Sequence, residues 1–276
     1  ATHGTSEFYR LRARITRELI EHHGFLAVCL EADWPDAAAL DRRVRGGVER
    51  PLREPAFSRF PRWMWRNAET EAFVSWLADR NHGLEPRGLR TSVHGLDLYS
   101  LDNSIGAVLD FLERVAPRAA EAARVRYSCF SPWERDPQTY GRAVSSGRME
   151  ACEDEAVAIL EDLLEQRLEH VAVDAEGWFD ATRNATVIRE AERYYRAMYR
   201  SAAESWNLRD RHMMETLEAI LEHRGPEARA VVWAHNSHVG DASATEFARR
   251  GEMNLGELAR KKWSDAARLV GFGTHT

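Results

Sequence analysis

The stretch Phe25-Leu-Ala-Val-Cys-Leu-Glu31 is a near-continuous apolar run that stops abruptly at Glu31-Ala32-Asp33. A short run that is apolar on both faces has the character of a strand in a parallel sheet covered by helices, where neither face meets water. A helical pattern precedes it: Phe8, Leu11, Ile15 and Leu19 recur at helical spacing between Ser6 and His22, and Gly24 follows as a stop. The alternation continues. Helices are expected over Asp36 to Arg45, Glu69 to Arg80 and Ser104 to Val115, with another capped by Asn207 and running to about His223. Strands are expected over Arg90 to Leu98, over Ala228 to Trp233, again buried in type, and over Arg268 to Phe272. Strands alternating with helices predict an α/β fold, with a largely parallel sheet flanked by helices.

From Pro117 to about Ser205 the alternation stops and the pattern becomes mostly helical. The expected organisation is an α/β core from 1–116 and 206–276, with 117–205 as a helical insertion or lid beside the active-site cleft. Met149, Cys152, Ala156, Ile159 and Leu163 form one apolar stripe with acidic residues outside it, so that acidic run reads as a solvated face rather than a site. Tyr194, Tyr195, Met198 and Tyr199 read as core rather than as a cofactor box.

Two charges interrupt apolar stripes and need partners. Arg12 lies near the stripe of the first helix, either paired or with its stem packed and its head in water. Asp210 shares a face with Met213, Met214 and Leu217, and Arg12 is a candidate mate for it. The connection from Gly46 to Asn67 carries the breakers Pro51, Pro55 and Pro61 together with Phe57, Phe60, Trp63 and Trp65. Aromatics argue against disorder there. They either wall an apolar ligand or pin the loop to the core.

Composition excludes several classes. A net charge of -6 over 276 residues carries no nucleic-acid footprint. No apolar run approaches the roughly 18 residues of a membrane span. The 3 cysteines, Cys29, Cys129 and Cys152, show no CxxC spacing, which reads as a reduced, cytoplasmic protein with Cys29 buried. The chain opens without Met, on what reads as the turn after a strand, and closes on the expected strand at Arg268. It is therefore read as a fragment of a longer protein.

A parallel sheet gathers the carboxyl ends of its strands on one edge, where open α/β sheets bind ligands. Glu31, Asp97, and His235 with Asn236 stand at such ends, and His3 follows the position of an earlier strand. Asp33 suits a cap for the helix beginning near Pro35. The chain has no Gly-x-Ser-x-Gly elbow and no phosphate-binding loop, and Cys29 lies inside a strand. Histidine with carboxylate remains. That set suits activation of water by a general base and also suits a metal, although His235 and His238 lie outside an HExxH context.

His3-Gly4-Thr5-Ser6-Glu7-Phe8-Tyr9 with Arg12 resembles the Gly-Glu-x-x-His-Gly region of the erythromycin esterase family. Phe25 to Asp36, Phe60 to Asn67, Gly95 to Ser100, Trp233 to Asp241 and Gly251 to Gly256 are similar to further blocks of that family, so the resemblance spans essentially the whole chain. It implies a parallel α/β core with a helical section around a deep cleft. It places the water-activating base at His3, the supporting carboxylate at Glu31, a second active-site histidine at His235 and an arginine at Arg12, with His238 as a further histidine near the cleft. Asp97, Asn236 and Trp65 are expected to support or bind the substrate. The resemblance also implies that the family's glutamate three residues before the base, and its C-terminal portion, fall outside this chain. The expected function is hydrolysis of a small-molecule ester or lactone, macrolides among them, with no cofactor, nucleic acid or membrane involved. Alternatives are a metal-dependent hydrolase on the same residues and a non-catalytic binding protein.

Overall fold

The computed structural model describes residues 3–47, 52–58, 62–133 and 136–273. Pro51, Phe60 and Pro61, singled out above as breakers and as part of a family block, lie outside the described residues. The chain divides into two compact units: residues 1–51, 55–97 and 210–276 form the first, and 52–54 with 98–209 form the second.

In the first unit, α1 (Ser6–His23) ends at Gly24, whose left-handed backbone returns its N–H to the Leu19 carbonyl. β1 (Ala27–Asp33) is buried along its whole length. α2 (Trp34–Arg45) begins with Pro35 in its first turn, where a missing N–H costs nothing, and ends at Gly46 in the left-handed region. α3 (Ala68–Asn81) is capped by the Asn67 side chain, which accepts the Thr70 N–H at 2.8 Å. β2 (Ser92–Asp97) and β3 (Ala230–Trp233) complete a parallel sheet in the order β2-β1-β3. The fold is thus α/β with a parallel sheet flanked by helices. No helix among the described residues is long and apolar enough to cross a membrane.

Three local expectations are corrected. On α1 the buried face is Phe8, Tyr9, Ala13, Thr16 and Ile20, while Leu11 is exposed. The face is turned because Thr16 accepts the buried Trp233 indole N–H at 2.8 Å, which gives a polar side chain a reason to face inward. β3 is only half-buried up to Trp233, as suits a strand with one sheet partner among the described residues. Arg268 to Phe272 is not a strand. The Asn236 side-chain amide takes both main-chain hydrogen bonds of Phe272, donating to its carbonyl at 2.7 Å and accepting its N–H at 3.2 Å, in place of a neighbouring strand.

The sheet carries one irregularity where it matters. β1 and β2 are in register from Ala27↔Ser92 to Leu30↔Gly95, but Asp33 then pairs with Asp97, so β1 holds an extra residue around Glu31-Ala32. Such bulges re-aim side chains at strand ends. Gly95, the register partner of Leu30, lies at the edge of the bulge. A Cβ there would lie 2.5 Å from the carbonyl oxygens of Ala32 and Asp33, which only glycine avoids.

The remaining helices fall in chain order. The second unit contains α4 (Leu101–Val115), α5 (Pro117–Tyr127), α6 (Pro137–Ser145), α7 (Glu153–Glu165) and α8 (Arg167–Ala197). α7 buries Ala156, Ile159, Leu160 and Leu163, and Tyr195 of α8 joins the same core with Tyr194 and Met198 packed against it. Tyr140 donates to Glu192 at 2.6 Å and accepts the Cys152 N–H at 2.8 Å, while Arg196 bonds Glu192 in turn. Burial, then the bond to Glu192, pushes the Tyr140 phenol well above its ordinary range. Cys129 and Cys152 form a disulfide, against the expectation of reduced thiols, because helix packing joins two cysteines that no local spacing pairs. Cys29 is free, and burial raises its thiol to about 12, so it is a poor nucleophile.

α9 (Ala202–Arg224) begins earlier than expected. Ser201 rather than Asn207 accepts the N–H of Glu204 in its first turn, at 3.3 Å, and Asn207 lies inside the helix. Residues from Asp210 onward belong to the first unit, as do α10 (Asn236–Val239), α11 (Glu246–Arg249) and α12 (Leu255–Trp263).

Because the Ala32 and Asp33 carbonyls leave no room opposite Gly95, Gly95→Ala should destabilise the chain by about 2–3 kcal/mol in urea denaturation. An unchanged midpoint would show that the bulge is loosely held.

Candidate active site

Glu31 is the centre of the arrangement. It stands in the bulged end of β1 with only 4 % of its side chain exposed. Its main-chain carbonyl accepts the Trp65 indole N–H at 2.9 Å, which ties it to the 3-10 turn Arg62–Met64 and its continuation. One carboxylate oxygen, Oε2, accepts the His235 main-chain N–H at 2.8 Å. The other, Oε1, faces two imidazoles: His3 Nε2 at 3.6 Å and His238 Nε2 at 3.4 Å.

The two more accessible histidines of the site lie face to face. The rings of His3 and His235 are stacked, with centroids 4.2 Å apart and planes 9° from parallel. His3 sits in the turn before α1 and is 35 % exposed. His235 ends the stretch after β3 and caps α10, its Nδ1 accepting the Ser237 N–H at 3.2 Å with the Ser237 hydroxyl 2.8 Å away. An accepting Nδ1 leaves Nε2 to carry the proton of the neutral ring.

His238 is buried, and its Nδ1 lies 2.9 Å from both carboxylate oxygens of Asp210. Asp210 therefore pairs with histidine rather than with Arg12, the mate expected from sequence. Arg12 instead donates to the Ala234 carbonyl at 2.9 Å and lies over the rings of Phe272, at 5.4 Å, and Tyr9, at 5.7 Å. Burial lowers its guanidinium from the ordinary value, while Tyr9 and Glu31 act in the other direction. Burial likewise raises the Tyr9 phenol to about 12, and its hydroxyl donates to the Met64 carbonyl at 2.5 Å.

The structure thus brings together His3, Glu31, His235 and His238, with Arg12 bonded to the residue before His235 and Trp65 bonded behind Glu31. Asn236 turns to the Phe272 backbone. Asp97 is buried at the end of β2 as the register partner of Asp33. Sequence reasoning missed the pairing of Asp210 with His238. The signal was present, an acidic residue on an apolar helix stripe, but it named no partner. Among the described residues, no group of three or more His, Cys, Asp or Glu side chains is arranged to hold a metal ion.

A family model for erythromycin esterase matches residues 20–276. The chain belongs to the erythromycin esterase family. The matched span contains Glu31, His235 and His238, and begins after His3 and Arg12. Solved structures share the fold: a succinoglycan biosynthesis protein and a protein from Bacillus cereus, each 19% identical with a TM-score of 0.77. A mutant of the erythromycin esterase EreC in its open conformation is 15% identical with a TM-score of 0.62. Each match covers 95% of this chain but only 61%, 61% and 65% of the respective neighbours, so the chain spans under two thirds of their length.

Trp65→Phe keeps the ring volume and removes the indole donor, leaving the buried Glu31 carbonyl without this bond. A loss of about 1–3 kcal/mol in chemical denaturation is expected. A neutral substitution would mean that β1 holds Glu31 without help from the loop.

Proposed function

We propose that the chain is the core of a hydrolase that cleaves an ester or lactone by direct attack of water. The observation that carries this reading is the stacked His3 and His235 pair standing on the buried Glu31 carboxylate at the end of β1. Family membership supports it. The accessible imidazole, His3, takes a proton from water as the water oxygen bonds to the substrate carbonyl carbon. Its charged form then faces Glu31 Oε1. The proton that His3 took then passes to the departing alkoxide as the acyl–oxygen bond breaks, which returns His3 to its neutral form, while His235, whose Nε2 carries a proton in the neutral ring, donates a hydrogen bond to the reacting oxygen. The guanidinium of Arg12, anchored on the Ala234 carbonyl, keeps positive charge beside the developing oxyanion. Water is added across the bond and no covalent intermediate forms. A macrolide lactone is the proposed substrate class, because one of the fold's neighbours is an erythromycin esterase.

A positioned general base contributes about 100- to 10,000-fold. His3→Ala should lose activity on that scale with its circular dichroism unchanged, read by mass spectrometry as loss of the product one water heavier than the macrolide. A retained rate would remove His3 from the mechanism. Ser237, 2.8 Å from His235 Nδ1, is the neighbour that a covalent mechanism would use. Its proximity follows from the cap of α10, so Ser237→Ala should keep the rate within about 5-fold, above the loss a removed nucleophile would give. An acyl adduct on Ser237, or inactivation by this substitution, would replace the water mechanism with a covalent one.

A further inference from the structure

We propose that Asp210 is a positioning residue for this centre, holding His238 with Nδ1–H on its own carboxylate and Nε2 on Glu31. The rate consequence rests on the hydrolytic reading; the proton placement does not.

The geometry begins with burial. Asp210 is 0 % exposed and His238 3 %, and His238 Nδ1 lies equally close, 2.9 Å, to both Asp210 oxygens. A carboxylate accepts and does not donate, so Nδ1 carries a hydrogen. The Asp210 carboxylate is itself anchored, since Oδ1 also accepts the Leu255 N–H at 2.9 Å from the start of α12. The same helix start grips the other partner: Asn254 donates to the Ser237 carbonyl at 2.7 Å, one residue before His238. Gly256 lets α12 approach, because any Cβ there would collide with the carbonyl oxygens of Val239 and Gly240. α12 thus clamps Asp210 and α10 in one arrangement.

On the far side of the ring, His238 Nε2 lies 3.4 Å from Glu31 Oε1. Two bare lone pairs would repel there, so a proton is held at this contact. Asp210, His238 and Glu31 then carry one net negative charge between them. When His3 takes the proton released by water, that charge stands opposite it through Glu31 Oε1, 3.6 Å away. No proton enters or leaves the trio in this step. Asp210 touches neither water nor substrate and acts only through His238.

Asp210→Asn tests this in the full chain. The amide keeps an oxygen for Leu255 but is a weaker acceptor than a carboxylate. With the Asp210 charge gone, one of the two protons shared by His238 and Glu31 is released to solvent, and the one that stays on the ring should sit on Nε2, drawn by the charged Glu31, leaving Nδ1 bare to accept the new amide hydrogen. With 15N-histidine labelling, and His238→Gln to assign the signal, the His238 Nδ1 resonance is expected in the protonated range in the wild type and in the bare range in the variant at the same neutral pH. In hydrolysis of p-nitrophenyl butyrate, kcat should fall about 10- to 100-fold with KM changed less than about twofold, the pattern of a misset histidine. A bare Nδ1 in the wild type overturns the proposal whatever the variant does, including failure to fold. An Nδ1 that stays protonated in the variant, or an unchanged kcat, also overturns it. A wild type that turns over neither p-nitrophenyl butyrate nor a macrolide, but with the nitrogen switch intact, sinks the hydrolytic reading and supports the proton placement.

Discussion

The structure of this chain turns on one buried carboxylate. Glu31 sits where the central strand ends, and taking an anion out of water is costly unless hydrogen bonds and opposite charge replace the solvent. Each replacement comes from a different part of the chain: the His235 N–H beyond β3, the His238 ring in α10, and His3 ahead of α1. Satisfying this group therefore fixes three segments that are remote in sequence. The Trp65 bond to the Glu31 carbonyl adds a fourth. What stabilises the anion is also what assembles the histidines.

A second tier of contacts holds the first. The bulge beside Gly95 sets where Glu31 falls at the strand end, and the indole of Trp233 reaches Thr16 to set the rotation of α1. That rotation leaves Arg12 beside the buried face, where its guanidinium meets the Ala234 carbonyl and the Phe272 ring. The pairing of Asn236 with Phe272 brings the C-terminal described segment onto α1, where Phe272 stacks on Phe8 at 5.4 Å. Rigid elements carry the candidate groups, and polar bonds at their ends set the angles at which they meet.

Much of the fold was legible along the chain because it follows from local rules. An apolar run marked β1, side chains at helical spacing marked α1, and Gly24 marked its end. The candidate site was legible in part, since strand ends in a parallel sheet must converge and Glu31 and His235 stand at such ends. Arg268 to Phe272 was misread because an apolar, glycine-containing stretch looks the same whether a strand or one asparagine side chain binds its backbone. The stripe of α1 was misread because Thr16 is polar by composition and buried by virtue of a single distant indole. The disulfide escaped for the same reason: Cys129 and Cys152 meet through helix packing.

The linear order of residues thus carried the class of fold, the helix and strand periods, and the types of side chain able to do chemistry. These depend on neighbours within a few positions, where backbone geometry alone relates one residue to the next. Three-dimensional packing decided which of those side chains meet. Asp210 shows the difference. Its place on an apolar face required a partner, but hydrogen bonding to His238, rather than to the long and versatile Arg12, depends on where α9, α10 and α12 come to rest. Distances of a few ångströms between residues far apart in the chain are set by the packing of whole elements, which no local pattern encodes.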